Sequence, residues 1–398
     1  MSPSPPSSSL ADWSAHAGVP LLQTLATAVL RLADMTDLEA FTLPYPAEAQ
    51  RALDRTALAC LLRGAHPPGS VPELLAWCRT RPVEDWPLDL PQDAFGPDDL
   101  LIDPVSGKPT QLCHEWWTRA RDSAAEHYDR TVISSAMRLC REHEAPESYT
   151  AFRRLLVERP VLTGGDMFEV ATDLLLYPVR ELVEQIYQRV PDSFCRDGAY
   201  VTCARCLTLL VPLTDGGWWC ERDRCRRQGQ PPPGRTLRAD ETGALWQLSR
   251  PLRQFVTGPG RAEAYLEREL RALRLPVEMW PGFDAYDLRI TFPDGWVWAV
   301  DVKDWAHPGL LGQAATEVRQ QPPYDEACWV VPRYRVDARP DYLRVYARNR
   351  TPAAGGLPLL TDRQLVAAAH ARLRGDTGPT GRLTQADGDT SANGAFDA

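Results

Sequence analysis

The chain has 398 residues, enough for two or three domains with cores of their own, and its 44% hydrophobic and 24% charged content is that of an ordinary soluble globular protein. No apolar run approaches the roughly 20 residues of a membrane-spanning helix, and MSPSPPSSS at the start lacks the basic and apolar regions of a secretory signal, so a cytoplasmic location is expected. A net charge of −9 excludes a protein that coats nucleic acid by charge alone.

Residues 1–17 are rich in Ser and Pro and are expected to be disordered, as is the tail 375–398, where Gly, Asp, Thr and Ser dominate. Between them, residues 18–190 read as a helical domain. VPLLQTLATAVLRLADM, AEAQRALDRTALACLLRG and VPELLAWCRT carry apolar residues at three- and four-residue spacing, and a long helical segment runs from about Gln111 to His143. YTAFRRLLVERP and MFEVATDLLLYPVRELVEQIYQRV follow, the latter interrupted by Pro178. His114, His127 and His143 form no i, i+4 pair, which argues against a metal site among these helices.

Residues 191–234 hold four of the ten cysteines as Cys203-x2-Cys206-x13-Cys220-x4-Cys225. Between the pairs lies LTLLVPLTDGGWWC, a hairpin pattern with its turn at Asp215-Gly216-Gly217. In a reducing compartment this spacing favours thiolate-bound Zn²⁺ over disulfides, and four thiolates close the coordination sphere, so the ion is structural. Cys195 is an alternative fourth ligand. Arg222, Arg224, Arg226 and Arg227 crowd the same segment and are candidates for nucleic-acid contact within a locally basic zone. Gln230 to Gly234 reads as a proline-rich connector.

The third unit spans 250–374. Its first helix, RAEAYLERELRALRL, is expected to begin after Gly258-Pro259-Gly260 and to bury Ala262, Leu266, Leu270 and Leu273; Glu263 borders that stripe, while Glu267 points further out. Then comes DLRITFPDGWVWAVDVK, from Asp287 to Lys303. Folded about Pro293-Asp294-Gly295, it pairs residues whose numbers sum to 588, setting Leu288/Val300, Ile290/Trp298 and Phe292/Trp296 on an apolar face and Asp287, Asp301 and Lys303 on the other. Two aspartates facing each other repel unless a cation lies between them, and a hard divalent ion such as Mg²⁺ supplies one. Lys303 is one of only two lysines, with Lys108, in a chain that writes nearly every other positive charge as Arg. A helix, a strand at 328–332, a helix, a short strand and a last helix complete a mixed sheet flanked by helices. The fold class is therefore α+β multidomain: a helical N-terminal region, a zinc-ribbon-like module and a C-terminal α/β domain.

Glu263, Asp287 and Asp301-Val302-Lys303 together resemble the PD-(D/E)xK restriction-endonuclease-like nucleases, with Tyr286 standing where the motif has Pro. The order of helical region, four-cysteine module and this domain resembles the restriction-endonuclease subunit associated with prokaryotic Piwi-like (pPIWI-RE) proteins in three-gene defence islands. The resemblance implies that Asp287, Asp301 and the Val302 carbonyl bind Mg²⁺ or Mn²⁺ and that Lys303 positions or deprotonates the attacking water. It also implies that Glu263 serves a second ion, that the substrate is DNA, and that a Piwi-like protein and a helicase are partners. Two other readings stand beside it: a catalytically silent scaffold with a nuclease fold, and a zinc-containing regulator that binds DNA through Arg222 to Arg227.

Overall fold

A computed structural model describes residues 13–375 except 34, 36–44, 92–94, 119–123 and 355, with Leu383 beyond them; the side chains at 14, 118, 124–130 and 227 lie outside that description. Residues 1–12 and almost all of 376–398, expected as disordered tails, and the side chains of His127 and Arg227 therefore fall outside the described residues. Trp13 lies within the expected N-terminal tail but is buried. It stacks on Trp116 with ring centroids 5.5 Å apart and donates from Nε1 to Asn349 Oδ1 at 2.7 Å, because a large aromatic finds more apolar surface there than in water.

Helices Gly18–Ala33, Ala47–Leu62, Val71–Thr80 and Gln111–Thr118 bury Leu22, Leu25, Leu74 and Trp116 in a first core. Ser70 starts the third of these, its hydroxyl accepting the Glu73 N–H at 3.3 Å. Helices Ala124–Glu142, Pro146–Glu158, Gly164–Thr172 and Arg180–Ile186 belong to a second core that runs on into the C-terminal sheet, joining Phe152 and Leu156 to Leu266, Val300 and Val330. Among the described residues no helix is long and apolar enough to cross a membrane.

Strands β1 (Val161–Leu162), β2 (Tyr187–Arg189), β3 (Ala199–Cys203), β4 (Val211–Pro212), β5 (Trp218–Trp219), β6 (Pro233–Arg238) and β7 (Trp246–Leu248) follow. β7 lies between β1 and β2 in an antiparallel sheet, so the cysteine-bearing segment leaves after β2 and returns at β7. β3 and β6 pair at the base of that excursion, and β4 and β5 form the hairpin inside it. The expected connector at 230–234 thus ends as the first residues of β6. Pro233 is tolerated there because it opens a strand of a two-stranded sheet, where an N–H is not required.

The C-terminal sheet runs β12-β11-β10-β9-β8, from β8 (Val277–Met279), β9 (Leu288–Thr291), β10 (Val297–Val302), β11 (Glu326–Val331) and β12 (Leu359–Thr361). β8, β9 and β10 are antiparallel and β10, β11 and β12 parallel, the expected mixed sheet. β8 is new: three residues are too few for alternation to declare a strand. Helices Gly258–Ala272 and Asp362–Leu373 cover the face that presents Leu288, Ile290, Val300 and Val330; Pro308–Gln313 and Tyr342–Asn349 cover the face that presents Ala299, Trp329 and Leu359.

Gly258-Pro259-Gly260, read as a break before the helix, lies inside its first turn. A Cβ on Gly258 would fall 2.2 Å from the Arg222 guanidinium and one on Gly260 2.2 Å from Val157. These glycines let the cysteine module and helix Pro146–Glu158 close on the helix start.

Candidate active site and metal centre

The hairpin adopts the expected register, with Val297 opposite Thr291, Trp298 opposite Ile290 and Val300 opposite Leu288. Gly295 takes φ +85° in the turn, and Trp296 N–H donates to Asp294 Oδ1 at 3.1 Å. Leu288, Ile290, Trp298 and Val300 are buried as the alternation requires. Trp296 departs from it: 37% exposed, it lies with Phe292 beneath the Arg372 guanidinium at the sheet edge.

Asp287 lies just before β9. Its Oδ2 accepts the Val302 N–H at 2.6 Å, continuing the ladder with a carboxylate in place of a backbone carbonyl. N–H and C=O of one strand residue point the same way, so the Val302 carbonyl faces the Asp287 side. Lys303 Nζ pairs with Asp301 Oδ2 at 2.7 Å and sits 5.0 Å from the Trp329 ring centroid. Burial, then Glu263 and Asp301, push Asp287 well above the ordinary carboxylate value. For Lys303, burial disfavours the charge, but Asp301 and Asp287 outweigh it and hold the ammonium above its usual value.

Glu263 is 2% exposed. Burial pushes its carboxyl up to about 7 against the opposing charge of Arg153. Trp280 Nε1 donates to Glu263 Oε2 at 2.6 Å, while the Trp280 N–H donates to the Asp287 carbonyl at 2.8 Å, so one residue ties both acids together. Trp280, Phe283 and Asp284 all have left-handed backbone, with φ of 51°, 60° and 66°. Each such residue costs about 1 kcal/mol or more, and the run ends three residues before Asp287. Asp284 Oδ2 accepts the Tyr149 hydroxyl at 2.9 Å and lies 3.5 Å from Arg153 Nη1, whose Nη2 is 3.6 Å from Glu263 Oε2.

Sequence reasoning missed Tyr149, Arg153, Trp280 and Asp284. A signal existed for Arg153: it interrupts the buried stripe of Tyr149, Phe152 and Leu156 with a charge. Glu267, expected to point outward, is 6% exposed and held by Arg154 at 2.6 Å and Arg271 at 2.9 Å, since the helix meets Pro146–Glu158 on that side.

Asp304, immediately after the motif, was also missed. Oδ1 accepts Arg335 Nε at 2.7 Å and the Tyr334 hydroxyl, and Oδ2 faces Arg222 Nη2 at 3.3 Å. Burial alone would raise it, but Arg335 and Arg222 hold its carboxyl below the ordinary range. Gln111, from the N-terminal helices, donates to the Asp304 carbonyl at 2.8 Å and accepts from Arg335 at 2.6 Å. Arg222, expected as a nucleic-acid contact, is thus a buried structural residue at 5% exposure, because a guanidinium that reaches the interior must be paired there. Arg226 pairs with Asp223 and, at 3.1 Å, with Asp103. Arg224 stacks on Tyr334 at 4.3 Å and lines a cavity of about 240 Å³ with Arg333, Arg363, Tyr265 and Val302, beside the end of β10. Arg222, Arg224 and Arg226 therefore do not make one basic surface.

The sulfurs of Cys203, Cys206, Cys220 and Cys225 all lie within 4.8 Å of one another and are buried, the geometry of a four-thiolate metal site. Cys195 packs elsewhere, against Phe194 and Tyr200. Among the described residues the four cysteines are the one group of three or more such ligands drawn this close.

Residues 260–377 match the family described as "REase associating with pPIWI_RE", and residues 21–163 match "pPIWI_RE three-gene island domain Y". The chain resembles the restriction-endonuclease subunit of pPIWI-RE islands. The first match contains Glu263, Asp284, Asp287, Asp301 and Lys303, and the second ends just past helix Pro146–Glu158, which brings Tyr149 to Asp284 and Arg153 to Glu263 and Asp284. No curated protein and no solved structure matches.

Proposed function

We propose that the chain is a metal-dependent nuclease subunit that hydrolyses DNA phosphodiester bonds in a prokaryotic defence system, acting with a Piwi-like protein and a helicase. The observation that carries this reading is the end of β10, where Asp287 caps the Val302 N–H and Lys303 pairs with Asp301 within the region matched to the restriction-endonuclease family. The residues fit a hard cation: Asp287 and Asp301 offer oxygen ligands, the Val302 carbonyl faces Asp287, and Asp287 is pushed up by burial and then by its acidic neighbours, a penalty that a cation relieves. A Mg²⁺ or Mn²⁺ ion there would stabilise charge on the scissile phosphate and acidify a bound water.

The chain's own residues do the rest. Lys303 remains an ammonium, so it orients the water or a phosphate oxygen by donating hydrogen bonds, and the Trp329 face limits where its tip can go. Glu263 and Trp280 fix the backbone at Asp287 from behind. Arg224, Arg333 and Arg363 around the cavity beside Val302 meet the phosphates of the strand that enters, which positions it without reading sequence. The four cysteines hold a structural Zn²⁺.

Plasmid and single-stranded DNA are incubated with Mg²⁺ or Mn²⁺, with the chain alone and with the Piwi-like and helicase partners. Wild type is expected to cleave, Asp301→Ala and Lys303→Ala to lose at least 100-fold. Cleavage undiminished in both variants would sink the mechanism, and silence of the wild type with all partners would favour the scaffold.

A further inference from the structure

Arg153 is the buried charge that the nuclease reading leaves unexplained. It arises from helix Pro146–Glu158, in the region matched as domain Y, on the stripe with Tyr149, Phe152 and Leu156 that packs into the shared core. A guanidinium 7% exposed must be paired to be tolerated. Its partners are two acids of the C-terminal domain, Glu263 Oε2 at 3.6 Å and Asp284 Oδ2 at 3.5 Å, and its third face covers the Trp280 ring at 5.1 Å. Both distances exceed those of a close hydrogen bond, and Arg153 Nε is buried with no hydrogen-bond partner. The guanidinium is therefore held by charge between the two carboxylates, as an ion would be.

The surroundings are built to keep that arrangement. Tyr149, one turn earlier on the same helix, fixes Asp284, and Trp280 fixes Glu263. The left-handed run from Trp280 to Asp284 delivers Asp284 to this spot and is clamped by Phe283 against Tyr149 at 5.9 Å and by Arg141 over the Phe283 ring at 5.1 Å. Asp284 thus faces Tyr149 and Arg153.

We propose that Arg153 is a positioning residue of the nuclease centre, a fixed cation lent by the domain Y region that occupies the gap between Glu263 and Asp284, so that the centre takes one divalent ion, at Asp287 and Asp301, and not two. A divalent ion entering beside Arg153 would meet a fixed positive charge already paired with both of the carboxylates it would need. Glu263 is then no metal ligand: it anchors Arg153 and Trp280, and through Trp280 the Asp287 backbone. The inference rests on the metal-dependent reading above.

The test is Mn²⁺ binding to the full-length chain without DNA, counted by electron paramagnetic resonance, in which Zn²⁺ is silent. Wild type should bind one Mn²⁺. Glu263→Gln and Asp284→Asn should each keep the count at one ion, and Asp301→Ala should lose it. Arg153→Gln should gain a second ion with a spin-coupled signal, and Arg153→Lys should return to one. Two ions in the wild type, or loss of the ion in Glu263→Gln, overturns the assignment of Arg153 while sparing the nuclease reading. A wild type that binds none removes both. A folded Arg153→Gln that still binds one ion also overturns the assignment of Arg153, and Arg153→Met takes the place of that variant if circular dichroism shows that Arg153→Gln does not fold.

Discussion

The four cysteines and the four acids of this chain solve opposite problems. Cys203, Cys206, Cys220 and Cys225 lie within one short stretch, closed by β3 and β6, and their sulfurs converge within 4.8 Å, as a four-thiolate site for a soft cation requires. Glu263, Asp284, Asp287 and Asp301 come from a helix, a left-handed turn and two strand ends, and each is parted from its neighbours by a donor or a cation: Trp280, Tyr149, the Val302 N–H, Lys303 and Arg153. A soft-metal site can be written locally in sequence. A cluster of carboxylates needs counter-charges from the whole fold.

The comparison is broken most forcefully at the cysteines. Cys220→Ser, or a strong chelator, should remove about one equivalent of metal by elemental analysis and open residues 199–238 to proteases, since structural zinc contributes on the order of 10 kcal/mol to small modules of this kind. Unchanged metal content would count against the site.

Next is Asp304. Asp304→Ala leaves Arg222 and Arg335 buried without their anion and should cost about 3–5 kcal/mol in denaturant titration, whereas Asp301→Ala, partly exposed and paired to a single lysine, should cost less than about 1 kcal/mol while abolishing cleavage. Equal costs would mean that the two neighbouring aspartates are not divided between structure and chemistry.

Stability should also fall as pH rises from about 4.5 to about 7. Burial pushes Glu115 up to about 7, against the backbone N–H groups of Ala306 and His307 that it accepts. Its folded value lies above its unfolded one, so its stabilising contribution is complete below about pH 4.5 and is lost as pH passes through 7, about 3 kcal/mol in all. Denaturation midpoints across that range should slope downward, and Glu115→Gln should reduce the slope while the similarly raised Glu263 and Asp287 keep the remainder; a flat wild-type profile would refute it. The smallest effect belongs to Arg372→Ala, which removes an exposed pair with Asp294 and the stacking on Phe292 and Trp296, and should cost about 0.5–1 kcal/mol by thermal unfolding.

Much of the site's backbone is legible in the sequence because it is local. Asp294-Gly295 sets the turn, the two-residue alternation sets the register, and Leu288, Ile290, Trp298 and Val300 are committed to one face before any tertiary contact forms. The cysteine spacing is legible for the same reason. The arginine patch was misread because sequence shows a run of charges but not which of them turns inward; Arg222 enters only because Gly258 leaves room for it and Asp304 waits behind.

By itself, then, the sequence determined the hairpin, the motif residues on it, the four-thiol module and the mixed sheet, all fixed by patterns of a few residues. Only the tertiary structure decided that Asp304 locks three segments together, that Glu267 is buried, and that Tyr149 and Arg153 reach Asp284 and Glu263. The reason is physical: a buried charge is stable only beside an opposite one, and which charges become neighbours depends on how helices pack across distant parts of the chain, which no local pattern encodes.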